Sequence, residues 1–198
     1  TPEFQRFWAA DIAQGMEYLY SCKIEHRDLK SPNVLLTLDG RGKISDFGLG
    51  KADDLKTSTT ATTMRDGGAA GTPAFMAPEL LSENIFTEKS DVYSYGMVLW
   101  EIYAHCFPWT GLKAQQIMYQ VTIKLARPEI PSSMPDDVRE LMQHAWAAEP
   151  DARPSFADIS RQLKATTPKR PSSTSEIRPW SSPRASDEQR QGSMRSMF

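Results

Sequence analysis

The sequence predicts a mainly α-helical domain with one small β-hairpin. Two observations predict this fold class. Apolar residues recur at the three- and four-residue spacing of an amphipathic helix in several separate stretches. Strand-like patterning, in contrast, is confined to residues 34–46, on either side of an Asp39-Gly40 pair. With 198 residues, the chain is long enough to bury one hydrophobic core.

The first predicted elements are a helix over residues 3–20 and a hairpin. The apolar residues of the helix fall on one face: Phe4, Phe7, Trp8, Ile12, Met16 and Leu19. The stretch VLLTLDGRGKISDFG predicts two short strands joined at Asp39-Gly40, a dipeptide typical of tight hairpin turns. Residues 51–71 are mostly Thr, Ser, Gly and Ala and offer little to a core, so we expect a long mobile loop there.

Helices dominate the second half of the chain. The stretch SDVYSYGMVLWEIYAHC is apolar on every face, which favours a buried helix. A last helix begins at Phe156, with Ser155 as its N-cap, and ends near Leu163. The predicted helices of this half cover residues 90–106, 113–125, 136–147 and 156–163.

The chain divides into a folded domain and a tail. From Ala165 onward Ser, Pro and Arg dominate, and the segment contains six basic and three acidic residues. Such a segment has too few apolar residues to offset the entropy of ordering it. We therefore predict a domain over residues 1–164 and a disordered Ser/Pro/Arg-rich tail over residues 165–198.

Composition argues against several classes of function. The net charge is −2, which gives no electrostatic case for nucleic acid or a membrane as the main partner. No apolar run approaches the roughly 18 residues that a membrane span needs. The two cysteines, Cys22 and Cys106, lack metal-binding spacing, and we expect ordinary buried thiols in a reducing compartment. These features predict a soluble, intracellular protein of the cytoplasm.

Residues 24–36, IEHRDLKSPNVLL, place a charged group of side chains directly before the first strand. Because the second strand returns beside the first, Asp46 is expected to lie close to Asp28 and Asn33. Carboxylate and amide oxygens suit Mg²⁺, whose remaining positions are left to water and phosphate. Lys30 and Arg27 add positive charge for phosphate groups. This combination is what phosphoryl transfer requires.

Three motifs extend this pattern: HRDLKSPN at residues 26–33, DFG at residues 46–48 and APE at residues 77–79. In order and spacing they resemble the catalytic loop, the metal-binding motif and the end of the activation segment of protein kinases. The later stretches SDVYSYGMVLWE and AAEPDARPSF also resemble that family. The resemblance covers roughly residues 3–164. It implies a protein kinase-like α+β fold, represented here by the mainly helical C-terminal lobe with a small β-hairpin at the catalytic site.

The resemblance implies a role for each catalytic position. Asp28 corresponds to the base that accepts the proton of the substrate hydroxyl. Asn33 and Asp46 correspond to the Mg²⁺ ligands, so ATP and Mg²⁺ are the implied cofactors. Lys30 resembles the lysine that steadies the transferred phosphate in serine/threonine kinases, and Thr72 resembles the threonine that contacts the catalytic Asp and Lys in that group.

Other positions resemble structural or regulatory residues of the family. Arg27 corresponds to the arginine that grips a phosphorylated activation loop, for which the Thr/Ser run at residues 57–63 offers candidates. His26 and Phe47 resemble members of the apolar column that joins the two lobes, and Gly48 completes the DFG motif.

Three further residues resemble the buried supports of the family. Glu79 and Arg153 match an ion pair that braces the substrate-binding region. Asp91 matches the carboxylate that ties the long central helix to the backbone of the catalytic loop. Trp146 before Pro-Asp-x-Arg-Pro resembles the tyrosine-kinase-like branch of serine/threonine kinases.

A protein kinase also needs a glycine-rich strand pair and a lysine strand that hold ATP. Gly40-Arg41-Gly42 lies inside the hairpin and lacks the third glycine, and Val121-Thr122-Ile123-Lys124 follows the APE motif in a helical pattern. We therefore expect the N-terminal lobe to be absent and the fragment to be inactive alone, with ATP held through the missing lobe. We also expect Phe47, His26 and Leu35, which that lobe would normally cover, to be exposed.

The sequence leaves two main functions open, and a third, an interaction module in the tail, rests only on Thr167-Pro168, Ser182-Pro183 and the basic Ser-rich composition. The first is the catalytic half of a serine/threonine kinase that acts on a protein substrate and is activated by an upstream kinase. The alternative is a truncated kinase-like protein that binds or docks partners without catalysis. Non-catalytic relatives usually lose Asp28 or Asp46, and both are present in this chain.

Overall fold

The computed structural model describes residues 2–47 and 73–170. Within these ranges the chain forms six α-helices and one two-stranded sheet. The elements are α1 (Pro2–Ser21), β1 (Val34–Leu36), β2 (Gly42–Ile44), α2 (Pro78–Glu83), α3 (Glu88–Ala104), α4 (Ala114–Thr122), α5 (Asp136–Ala145) and α6 (Phe156–Thr166). Short 3₁₀ turns occupy Ser31–Asn33, Pro73–Phe75 and Pro150–Ala152. The predicted mainly helical fold with one small hairpin is confirmed.

The hairpin lies against α1. Its strands are antiparallel, with Val34 opposite Ile44. The Asp11 carboxylate accepts a hydrogen bond from the backbone N–H of Gly42 at 2.8 Å. A Cβ on Gly15 would lie 2.8 Å from Cδ1 of Ile44, so a side chain at position 15 would force the end of the Ile44 side chain to shift. These contacts fix the hairpin relative to the core.

Helix α3 is the centre of the domain. Residues 90–100 are all buried, as the apolar stretch predicted. It begins two residues earlier than expected because Thr87 accepts a hydrogen bond from the N–H of Lys89, while Ser90 accepts one from the N–H of Thr87. Gly96 lets α5 pack closely, since a Cβ at that position would lie 3.2 Å from the Cβ of Ala145.

The last helix is longer than predicted. Ser155 caps α6 by accepting a hydrogen bond from the N–H of Asp158, as expected, but the helix ends at Thr166 rather than near Leu163. Residues 165 and 166 are therefore helical, which corrects the start of the predicted tail. Beyond α6, Arg170 forms an ion pair with Asp11 at 2.6 Å.

The predicted burial of the two cysteines is wrong. Cys22 and Cys106 are both free and exposed. Each lies just past the end of a helix, α1 and α3 respectively, where the chain turns on the surface. No helix within the described residues is both long enough and apolar enough to cross a membrane. The loop predicted over residues 51–71 and residues 171–198 of the predicted tail lie outside the described residues.

Candidate active site

Three predicted catalytic side chains meet in the loop between α1 and β1. The Asn33 amide nitrogen Nδ2 donates a hydrogen bond to the backbone oxygen of Asp28 at 2.8 Å and lies 3.3 Å from its carboxylate Oδ2. The ammonium group of Lys30 lies 2.6 Å from the same Oδ2. Asn33 is buried, while about a quarter of each of the Asp28 and Lys30 side chains is exposed. The carboxylate is therefore held in place but reachable from solvent.

Asp46 joins this group through the hairpin. The backbone N–H of Ser45 donates to the carbonyl of Asn33 at 2.9 Å, which continues the strand pairing by one residue. The Ser45 hydroxyl lies 3.2 Å from that carbonyl and 3.4 Å from Oδ2 of Asp46. Asp46 has a φ of +56°, an uncommon value for a residue with a side chain. One set of hydrogen bonds thus links Asp28, Asn33 and Asp46.

The donor atoms of this group fit Mg²⁺. Because Nδ2 of Asn33 is bound to Asp28, the amide oxygen Oδ1 is the atom of this side chain that could ligate a cation. Asp46 is exposed and supplies a carboxylate next to it. Within the described ranges, no three His, Cys, Asp or Glu side chains form a cluster that could hold a metal. Carboxylate and amide oxygens suit a hard cation that keeps several waters, as Mg²⁺ does.

Asp91, at the start of α3, anchors the backbone of the loop. Its carboxylate accepts hydrogen bonds from the N–H of His26 at 2.9 Å and of Arg27 at 3.1 Å. Arg27 has a φ of +67°, so these bonds hold a strained backbone conformation one residue before Asp28. A third donor, the hydroxyl of Tyr20, lies 2.7 Å away. Burial raises the pKa of Asp91 to about 6, against the opposing effect of these three hydrogen bonds.

His26 connects the loop to the hairpin. Its ring Nε2 donates to the carbonyl of Ser45 at 3.1 Å, and its Nδ1 accepts from the N–H of Asp28 at 3.3 Å. Burial lowers the pKa of His26, which favours the neutral ring that this pattern requires. We expected His26 to be uncovered together with Phe47 and Leu35. That expectation is wrong for His26, which is fully buried, whereas Phe47 and Leu35 are exposed.

The Arg27 side chain contacts residues outside the catalytic group. Its guanidinium forms an ion pair with Glu25 at 2.7 Å and lies 5.3 Å from the ring centre of Phe86. The phosphorylated residue predicted to bind it would belong to residues 57–63, outside the described part of the chain. Thr72 and Gly48 also lie outside the described residues.

The expected ion pair between Glu79 and Arg153 is present and buried. The guanidinium binds both carboxylate oxygens, at 2.7 and 2.8 Å. Arg153 also donates to the backbone oxygens of Ala147 and Lys89. Burial alone would raise the pKa of Glu79, but the hydrogen bonds and charge of Arg153 outweigh it and lower the pKa. The pair ties α2 to the segment between α5 and α6.

Sequence reasoning missed two residues of this region. Ser45 links Asn33 to Asp46, and Tyr20 binds Asp91. Ser45 could have been found from its position next to Asp46 at the end of a predicted strand. Tyr20 carries a weaker signal, since a tyrosine at the end of an amphipathic helix is usually explained by packing alone.

Comparison with known proteins adds an independent finding. Residues 4–163 match the family described as protein tyrosine and serine/threonine kinase. The chain is 43% identical over 158 residues to serine/threonine-protein kinase CTR1 of Arabidopsis thaliana, 41% over 157 residues to serine/threonine/tyrosine-protein kinase HT1 of the same plant, and 40% over 163 residues to mitogen-activated protein kinase kinase kinase 12 of Rattus norvegicus.

These matches cover most of this chain but a minor part of each relative. They include 79%, 79% and 82% of the chain, respectively. They span only 18% of CTR1, 38% of HT1 and 18% of kinase 12. The relatives are thus similar to this chain over one shared region.

Proposed function

Because the chain belongs to the protein tyrosine and serine/threonine kinase family, we propose that it supplies the catalytic half of an ATP-dependent kinase that phosphorylates serine or threonine hydroxyls of proteins. The observation that carries this proposal is the hydrogen-bonded set of Asp28, Asn33 and Asp46, with Lys30 bound to Asp28. The proposed cofactors are ATP and Mg²⁺.

Asp28 and Lys30 perform the steps at the substrate hydroxyl. The Asp28 carboxylate is partly exposed, so it orients the incoming hydroxyl and accepts its proton. Lys30 lies 2.6 Å from it and places a positive charge where the transferred phosphate gains negative charge. The hydrogen bond from Asn33 to the Asp28 carbonyl keeps the loop in the required conformation.

Asn33 and Asp46 would hold the metal ion. Their oxygens are hard donors at the end of the hairpin, next to Asp28. When bound, Mg²⁺ supplies positive charge that neutralises the phosphate oxygens of ATP. The strand pairing between Asn33 and Ser45 fixes the orientation of the Asn33 and Asp46 side chains.

Three kinds of observation support the serine/threonine class. Lys30 and Thr72 match residues of the serine/threonine group in the predicted motifs. CTR1 is named a serine/threonine kinase, while the name of HT1 includes tyrosine as well. The run Trp146 to Arg153 resembles the tyrosine-kinase-like branch, whose members include serine/threonine kinases. An upstream kinase is the proposed activator, acting on the Thr/Ser run at residues 57–63.

The adenine and ribose of ATP need a second lobe. Within the described residues, the only strands are β1 and β2, and neither forms a glycine-rich cover over phosphates. The exposed apolar residues Leu35 and Phe47 are suited to contact such a lobe. The exposed, unbridged Cys22 and Cys106 suit a reducing compartment, which supports the cytoplasm as the site of action.

A chimera tests the proposal. The chain is joined behind the N-terminal lobe of a similar kinase, such as kinase 12, and phosphate transfer from ATP-Mg²⁺ to a basic protein is measured. We expect transfer by the chimera, loss of transfer in Asp28→Asn, and none by the chain alone. Asp151→Asn, at an exposed position, is the matched control. A folded chimera that binds ATP and shows no Asp28-dependent transfer would overturn the proposal and favour a docking protein.

A further inference from the structure

Tyr20, the second-last residue of α1, is held by contacts at both its ring and its hydroxyl. Its ring stacks on Phe156, with ring centres 5.6 Å apart and planes inclined by 23°. Phe156 is fully buried at the start of α6 and also meets Tyr95 edge-on at 5.9 Å. The stacking on Phe156 therefore orients the ring of Tyr20, and its hydroxyl is directed to Asp91 at 2.7 Å.

The Tyr20 hydroxyl donates to the same Asp91 oxygen that accepts a hydrogen bond from the loop. Oδ2 of Asp91 accepts from Tyr20 at 2.7 Å and from the N–H of His26 at 2.9 Å, while Oδ1 accepts from Arg27 at 3.1 Å. A carboxylate on a flexible side chain rotates unless its oxygens are held on more than one side. Because Tyr20 approaches from α1 and the two N–H groups from the loop, the three bonds together determine the orientation of the carboxylate.

Asp28 lies directly after the anchored backbone. It follows Arg27, whose backbone is in the left-handed region at a φ of +67°. A residue with a side chain keeps such a conformation only where surrounding contacts impose it. The contact that imposes it is the pair of hydrogen bonds to Asp91.

We propose that Tyr20 is a positioning residue of the phosphoryl-transfer site, and that its hydroxyl orients the Asp91 carboxylate so that the His26–Arg27 backbone presents Asp28 to the substrate. The consequence for catalysis rests on the proposed function, whereas the hydrogen-bond relay from Tyr20 to the loop does not. Its effect can therefore be measured on the chain without any kinase assay.

The protonation states of the pair agree with this role. Burial and the charge of Asp91 raise the pKa of Tyr20, so the hydroxyl stays a donor throughout the physiological range. Glu25 and Glu88 add negative charge near the tyrosine. Burial is the main cause that raises the pKa of Asp91. The hydrogen bond from Tyr20 lowers this pKa, and the charge of Glu25 raises it. Removing the hydroxyl therefore raises the pKa of Asp91 further.

Amide hydrogen exchange on the full 198-residue chain tests the proposal. Tyr20→Phe keeps the stacked ring and removes the hydroxyl. We expect the amides of His26 and Arg27 to exchange about tenfold to a hundredfold faster at pH 7.5, the range for losing a hydrogen bond to a charged group. Amides in the middle of α3 should change much less.

Two variants with the same chemical change serve as controls. Tyr18→Phe alters an exposed tyrosine of the same helix. Tyr95→Phe removes a buried hydroxyl that donates to the carbonyl of Ala9 instead. Neither should accelerate the His26 and Arg27 amides beyond the general change in stability. Equal exchange of these amides in Tyr20→Phe and the wild type, or acceleration shared equally by all of α3, would overturn the proposal.

A second measurement needs no variant and so does not depend on the folding of Tyr20→Phe. The Cζ carbon of Tyr20 and the carboxyl carbon of Asp91 are followed by NMR between pH 4.5 and 7.5. If the hydroxyl donates to the carboxylate, both signals titrate with one midpoint, near 6. A Tyr20 signal that stays constant while Asp91 titrates would overturn the proposal. Either result is independent of whether the chain takes part in phosphate transfer.

Discussion

The ammonium nitrogen of Lys30 lies 2.6 Å from carboxylate oxygen Oδ2 of Asp28, and Asn33 holds the backbone of that aspartate from the other side at 2.8 Å. The pair places a proton acceptor and a positive charge within three residues of the loop. Both side chains keep about a quarter of their surface exposed, so a substrate can reach them.

Replacing Lys30 should reduce the rate of phosphate transfer more than it weakens substrate binding. In the chimera with an N-terminal lobe, we expect Lys30→Met to lower kcat about a hundredfold, the loss typical of removing one group that stabilises charge in the transition state. Lys43→Met, at an exposed position on β2, is the matched control. Equal kcat values for the two variants would show that Lys30 does not act on the transferred phosphate.

The buried ion pair should be essential for stability. Arg153→Ala leaves the Glu79 carboxylate without its partner in a largely buried position, and we expect a loss of about 3–5 kcal/mol in the free energy of unfolding. Arg161→Ala breaks the exposed pair with Asp158 and should cost about 0–1 kcal/mol. Urea denaturation measures both. A similar loss in the two variants would contradict the bracing role of the buried pair.

Asp91 should give the stability a specific pH dependence. Its pKa is about 6 in the folded chain and 3.8 without the fold, so between these values the native state binds more protons than the unfolded state. Stability from this group is therefore fully present below pH 3.8 and is lost as pH rises through 6. Relative to Asp91→Asn, the wild type should lose about 3 kcal/mol between pH 3.8 and pH 7.

Urea denaturation over that pH range measures this difference. Asp151→Asn, an exposed carboxylate, controls for the loss of one acidic group. A difference between wild type and Asp91→Asn that stays constant across the range would contradict the assignment. Ionisation of Asp91 therefore lowers the free energy of unfolding, while it strengthens the hydrogen bonds that hold the loop backbone.

The segment after α6 should stabilise the hairpin turn. Arg170 donates to Asp11 at 2.6 Å and to the carbonyl of Gly40 at 2.8 Å, and its guanidinium lies 4.8 Å from the ring centre of Phe7. We expect Arg170→Ala to cost about 1–2 kcal/mol and to speed exchange of the Gly42 amide, which also binds Asp11. Lys169→Ala, at the exposed neighbouring position, should have little effect. Equal stabilities of the two variants would contradict this contact.

Much of the fold followed from local sequence. The spacing of Phe7, Ile12 and Met16 predicted α1, and the Asp39-Gly40 pair predicted the hairpin, because both signals act over a few residues. The family followed from three motifs in order, and its tyrosine-kinase-like character from Trp146 before Pro-Asp-x-Arg-Pro. The end of α6 was misjudged because Thr166 and Arg170 gain their contacts from α1, which the local composition does not show.

The prediction of the site from sequence had the same limit, because it could not include contacts between distant elements. Asp28, Asn33 and Asp46 lie within 19 residues, so one turn was enough to bring them together. Tyr20 was missed because its acceptor, Asp91, is 71 residues away and depends on the packing of α1 against α3. His26 was expected to be uncovered, but the bond to Ser45 and the surrounding loop bury its ring. Contacts between distant elements account for both errors.

The most direct test of the account is whether Asn33 and Asp46 hold one divalent ion. Mn²⁺, a paramagnetic substitute for Mg²⁺, is added to the 198-residue chain, and NMR signal broadening is recorded for the wild type, Asp46→Asn and Asp39→Asn, an exposed aspartate of the same hairpin. We predict broadening centred on residues 33 and 46 that Asp46→Asn abolishes and Asp39→Asn preserves. Broadening spread evenly over the acidic surface, or unchanged in Asp46→Asn, would contradict the account.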